Sequence, residues 1–143
     1  MLSIEERFSM GLHTAARAWR QALDRRLKHL GVGQASWMAI AMVAKSKQAL
    51  AQNELANLLG VEAPTMVAMV DRLVKLGLVR RVASETDRRV KQIVLTDDGL
   101  ALYAKVKTEA DAFRVQLLRK VDHEHLRVAA DLLEALSAAC ESM

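Results

Sequence analysis

A chain of 143 residues that is 52% hydrophobic but only 3% aromatic, with a net charge of +4, holds one domain's worth of core, built from Ala, Leu, Val and Met. No run of about 18 uncharged apolar residues exists to span a membrane, and the acidic start MLSIEERF lacks the pattern of a secretion signal. The one cysteine, Cys140, excludes an intrachain disulfide, and together these features predict a cytoplasmic protein.

Taken in order, Phe8, Leu12, Ala15, Trp19, Leu23, Leu27 and Leu30 recur at steps of three and four, which predicts a first helix that stops at Gly31-Val32-Gly33. A shorter second helix begins near Ser36 and carries Trp37, Ile40, Val43 and Ala44, with a polar connector at residues 45–48. Residues 52–79 read helix, turn, helix. Leu55, Leu58 and Leu59 make a short apolar face, Gly60 supplies the turn, and Ala56 permits a close approach. Pro64 suits the first turn of the next helix, and Gly77 ends it. Wrapped at 100° per residue, Val67, Val70 and Val74 fall together and are expected to face the core. Thr65, Ala68, Met69, Arg72 and Lys75 fall opposite.

The period then changes from 3.6 to 2, predicting strands at residues 78–83 and 90–95 joined by a polar loop. Thr96-Asp97-Asp98-Gly99 is a helix start, with acids in the first turn where the helix dipole favours them. Leu100, Tyr103, Val106, Ala110, Phe113 and Leu117 mark that helix. After a break near Val121-Asp122, Leu126, Ala129, Leu133, Leu136 and Cys140 mark the last. The predicted fold is mainly α with a small two-stranded β wing. It is a single domain over residues 1–143, with a winged helix-turn-helix at 34–96 and dimerisation helices at 1–33 and 97–143.

Charge is concentrated. Residues 72–91 hold Arg72, Lys75, Arg80, Arg81, Arg88, Arg89 and Lys91 against only Glu85 and Asp87, whereas the C-terminal third is acidic. A compact basic segment after a helix-turn-helix points to double-stranded DNA. Pro64, Thr65, Ala68 and Met69 are expected to face base edges, on a surface that is small in its middle, with Arg72 and Lys75 placed for phosphates. Arg88 and Arg89 at the loop tip suit a minor groove, with Asp87 to orient a guanidinium and Lys91 adding to the cationic ribbon. Two other readings stay open: a winged helix serving as a protein–protein module, and a non-specific architectural DNA binder.

Phe8, Leu12, Leu126, Leu133 and Leu136 lie far in sequence from the DNA-reading segment, on apolar stripes that one small subunit would struggle to cover. They predict a two-fold homodimer, with half-sites roughly 34–36 Å apart on the DNA.

The runs Gly60-Val61-Glu62-Ala63-Pro64-Thr65-Met66-Val67, Asp71-Arg72-Leu73 and Leu76-Gly77-Leu78-Val79-Arg80 resemble the recognition helix and first wing strand of MarR-family regulators. Ser84-Glu85-Thr86-Asp87-Arg88-Arg89-Val90-Lys91, followed by Leu95-Thr96, resembles their wing. Arg17-Ala18-Trp19-Arg20, Asp24-Arg25-Arg26-Leu27-Lys28 and Trp37 are similar to the SlyA-like subgroup. The resemblance covers nearly the whole chain. It implies a homodimeric winged helix protein that binds palindromic operators and usually represses transcription. Ser84, Glu85 and Thr86 replace the Asp-Pro-Arg of many members, and Ala68 stands where SlyA-like relatives often carry Arg.

The resemblance also implies release by a small aromatic carboxylate, with Arg17 as the cation and Trp19 and Trp37 as stacking rings. Ala41 stands where salicylate-binding relatives often have a His. The alternative is that both tryptophans are core residues and Arg17 pairs with an acid.

Cys140, on an apolar stripe near the end of the last helix, reads as a packing residue rather than an oxidation sensor. His123 and His125 read as a helix-capping turn, not a metal site, because no Cys is near and His13 and His29 are distant in sequence. No phosphate loop, nucleophile elbow or other catalytic constellation occurs. The expectation is a protein that is not an enzyme and has no cofactor and no metal.

Overall fold

Ser3 opens the first helix through a reciprocal cap: its Oγ accepts from the Glu6 amide at 3.1 Å, and the Glu6 carboxylate accepts from the Ser3 amide at 2.9 Å. In this computed structural model, which describes residues Met1–Met143, α1 runs Ile4–Leu27 and tightens into a 3₁₀ turn, Lys28–Leu30. The turn ends on Gly31 at φ 78°, a left-handed position that glycine tolerates. Helix α2, Gln34–Lys45, buries Trp37, Ala39 and Ile40. A short strand β1, Leu50–Ala51, leads into α3, Gln52–Leu59, whose Glu54 carboxylate accepts from the Ala51 amide at 2.9 Å.

Gly60, at φ 68°, makes the turn into α4, Ala63–Lys75, which carries Pro64 in its first turn. Strands β2, Val79–Ala83, and β3, Lys91–Leu95, follow. The sheet has three antiparallel strands in the order β1-β3-β2, with Leu50 opposite Ile93 and Arg81 also opposite Ile93 on the other side. The expected two-stranded wing thus gains a third strand. Two residues are too few to show alternation, so β1 was not legible from sequence.

The chain divides into two compact units, Met1–Ala110 and Asp111–Met143, with the boundary inside α5, Asp97–Leu118, rather than at a loop. In the first unit, Ile40, Leu55, Met66, Val70, Leu73, Val79 and Ile93 form a core of side chains hidden from solvent. Arg26 of α1 bridges to Glu109 of α5 at 3.0 Å. Thr96, just after β3, joins the turn between α4 and β2 to the start of α5. Its amide donates to the Leu78 carbonyl at 3.1 Å, its hydroxyl donates to the Gly77 carbonyl at 2.6 Å, and that same oxygen accepts from the Gly99 amide at 3.1 Å. Here Gly99 is required, because an added Cβ would lie 2.1 Å from the Leu78 carbonyl oxygen.

The second unit contains the last turns of α5 and all of α6, His123–Glu141. Asp122 caps α6 by accepting from the amides of Glu124 and His125 at 3.0 and 3.1 Å, the capping turn expected there. Arg127 links Glu124 and Asp131 along the surface and holds the Glu124 carboxyl below its ordinary range. No residue of α6 is buried within the single chain. No helix is long and apolar enough to cross a membrane.

Candidate nucleic-acid interface

Helix α4 buries Met66, Val70 and Leu73, and leaves Val67 and Val74 40% and 39% exposed. Of the expected core face Val67, Val70 and Val74, only Val70 is buried, so that face is corrected by a rotation of the helix. Methionine and leucine remove more apolar surface from water than valine does, so the phase that buries the two larger side chains wins. Of the residues expected on the outer face, Pro64, Thr65, Ala68, Arg72 and Lys75 are exposed, whereas Met69 is half-buried and packs on the core. Rotation also brings Asp71 outward, which the sequence reading overlooked.

Beyond β2, the chain folds into a wing tip. The Ser84 amide donates to the Val90 carbonyl at 2.9 Å, and the Val90 amide donates to the Asp87 carbonyl at 3.0 Å. Ser84, itself buried, shares a 3.0 Å hydroxyl bond with Thr86 and accepts from the Thr86 amide at 3.3 Å. This local hydroxyl turn forms where the resemblance implies Asp-Pro-Arg in many members, and the Ser-x-Thr spacing carries its signal in the sequence. Asp87 Oδ1 accepts from the Arg89 amide at 3.1 Å and from Arg89 Nε at 3.2 Å, while Oδ2 lies 3.4 Å from Arg89 Nη2. The Arg89 side chain and amide together hold the Asp87 carboxyl below its ordinary value of 3.8. Arg89 nevertheless keeps its side chain 90% exposed, and Arg88 and Lys91 are exposed beside it. Such an arrangement can present oriented cations to a polyanion without first desolvating them.

A recess of about 410 Å³ opens beside the helix-turn-helix, lined by Arg20, Gln34, Met38, Leu59, Val61 and Met69. None of Arg17, Trp19 and Trp37 lines it. Trp37 is a core residue, 7% exposed, with its Nε1 donating to Asp24 Oδ1 at 3.1 Å. Arg17 is exposed and Trp19 half-buried. A larger recess, about 610 Å³, lies against α5 between His29 and Lys105 and is not lined by α4.

Phe8 and Leu12 on α1 and Leu133 on α6 are exposed, and Leu126 and Leu136 are half-exposed. Cys140, expected to pack, is exposed in the single chain. No group of three His, Cys, Asp or Glu residues is placed to hold a metal ion.

The MarR family model matches residues 30–90. The crystal structure of transcriptional regulator PA3341 superposes with a TM-score of 0.89 at 38% identity, over 95% of this chain and 99% of that one. This chain belongs to the MarR family.

Two further structures share the MarR-family fold. CouR from Rhodococcus jostii RHA1, solved bound to p-coumaroyl-CoA, aligns with a TM-score of 0.82 at 21% identity, over 95% of each chain. MepR from S. aureus, solved in complex with DNA, aligns with a TM-score of 0.76 at 22% identity, over 92% of this chain and 97% of that one. At those identities the likeness is one of fold. Membership makes this chain a winged-helix transcriptional regulator of the MarR family.

Proposed function

We propose that this MarR-family protein, of the SlyA-like type, is a homodimeric repressor that binds a palindromic operator and is released by a small aromatic anion. The observation that carries the reading is the wing tip, where a carboxylate holds an outward arginine in place beside a helix with an exposed, short-chained face. Pro64, Thr65 and Ala68 face base edges, Arg72 and Lys75 hold phosphates, and Arg88, Arg89 and Lys91 follow the minor groove and its backbone. MepR, solved with DNA, supports the use of this fold on a duplex.

Exposed Phe8, Leu12 and Leu133 support a second copy of the chain as the cover for α1 and α6. For the effector, the recess offers Arg20 as a cation and the Met38 and Met69 sulfurs as ring contacts. CouR, solved with an aromatic acyl thioester, supports that ligand class.

The test is a selection of duplexes from random sequence, followed by affinity measurement at physiological salt. The expected product is a palindrome bound at least about a thousandfold more tightly than random DNA. Equal affinity for all duplexes would instead mark an architectural binder, and no affinity for any would favour a protein-binding module.

A further inference from the structure

Arg81 was one cation among seven in the basic segment, but the strand turns it inward. Val79 and Arg81 are two residues apart on β2 and so share the sheet face that packs on the helices. Val79 is buried there, and Arg81 stands opposite buried Ile93 in the register. A guanidinium on a core-facing position must find partners, and Arg81 finds three. Its Nη2 lies 2.7 Å from Asp71 Oδ1 and donates to the Val67 carbonyl at 3.4 Å. Its Nε donates to Gln52 Oε1 at 3.1 Å. Only 27% of the side chain remains exposed, against 61% for Asp71.

One side chain therefore ties the wing strand to the middle of α4 and to the first residue of α3. We infer that Arg81 is a positioning residue for DNA reading: it sets α4 against the wing through Asp71, the Val67 carbonyl and Gln52, and does not bind phosphate. The inference rests on the proposed reading that α4 and the wing contact DNA together. It also explains a carboxylate on the exposed face of a helix meant for a polyanion. The Asp71 charge is neutralised there by Arg81, and its geometry is what the pair uses.

Simple electrostatics and positioning give opposite signs for Asp71→Asn. If Asp71 is only a surface acid, removing its charge tightens binding to every duplex. If the Asp71–Arg81 pair sets α4, operator affinity falls despite the more positive protein, because a charge-assisted contact is weakened. The experiment titrates wild type, Asp71→Asn and Arg81→Gln against a duplex selected by the wild-type protein and against a random duplex, each over a salt series.

The expected result is an operator affinity lower by about tenfold in both variants. Random-duplex affinity is unchanged or higher for Asp71→Asn, and for Arg81→Gln the random-duplex salt slope stays within about half a contact of wild type. Operator binding by Asp71→Asn that equals or exceeds wild type overturns the inference. So does a slope for Arg81→Gln that drops by about one full phosphate contact. Asp71 is exposed, so its variant keeps the test decisive even if Arg81→Gln fails to fold. A wild type that prefers no duplex defeats both the proposed function and this inference. A wild type that discriminates, with Asp71→Asn unimpaired, defeats the inference alone.

Discussion

At Arg89, orientation and exposure coexist: the side chain bonds to Asp87 along one edge and remains open to solvent on the other. Asp87 spends its carboxylate on reducing the number of directions Arg89 explores, which lowers the ordering cost of docking the guanidinium. Arg89→Ala is expected to weaken operator binding by at least about tenfold, on the order of 1–3 kcal/mol, in a gel-shift titration. Asp87 titrates below its ordinary 3.8 in the folded protein, so the pair's contribution is complete above that value. It is lost as the pH falls through the lower, folded value. Operator affinity should therefore show no step from this residue between about pH 5 and pH 8. The Arg89 amide resonance should shift only in a titration carried below 3.8.

For α4 the decisive quantity is rotational phase. Leu73→Ala removes a side chain that is 1% exposed and should cost about 2–5 kcal/mol in urea denaturation. Val67→Ala, at a position 40% exposed, should stay within roughly 0.5 kcal/mol of wild type. Equal losses at both sites would restore the valine face expected from sequence. Sequence alone could locate this helix, because Gly60, Pro64 and Gly77 punctuate it. It could not choose the phase, because Met66, Val67, Met69, Val70, Leu73 and Val74 supply an apolar arc of about 160° at 100° per residue, wide enough to centre the core face on either set. The strands were legible through alternation, and Val79 with Arg81 could have revealed the inward arginine had the period been followed past the charge. Trp37 was ambiguous for a different reason: an aromatic ring on a helix suits a core or a ligand equally, and only the Asp24 contact decides. Gly99 belongs to the same scale. Gly99→Ala should destabilise the protein by about 1–3 kcal/mol, since its methyl group has to displace the Leu78 backbone.

In the whole molecule, exposed apolar side chains on α1 and α6 are matched by a basic wing that one chain presents only once. Pairing two chains doubles the phosphate contacts, and six to ten such contacts would reduce affinity by about 10³–10⁵-fold between roughly 50 and 200 mM salt. Leu133→Asp is expected to yield a folded monomer in sedimentation that loses operator affinity while its random-duplex binding becomes as weak as that of a single half-site reader. A Leu133→Asp protein that sediments as a dimer would remove α6 from the proposed contact. These exposed apolar surfaces were legible only as unsatisfied stripes, because a sequence records that a face is apolar and not what covers it.

Thr96 and Gly99 lock the base of the wing to the end of α4 and the start of α5. For anyone grafting new DNA preferences onto this scaffold, the transferable cassette is therefore the stretch from α4 to the first turn of α5, not the hairpin alone. A hairpin exchanged between residues 84 and 90 leaves that joint untouched. An exchange cut at 77 or 96 would saw through it.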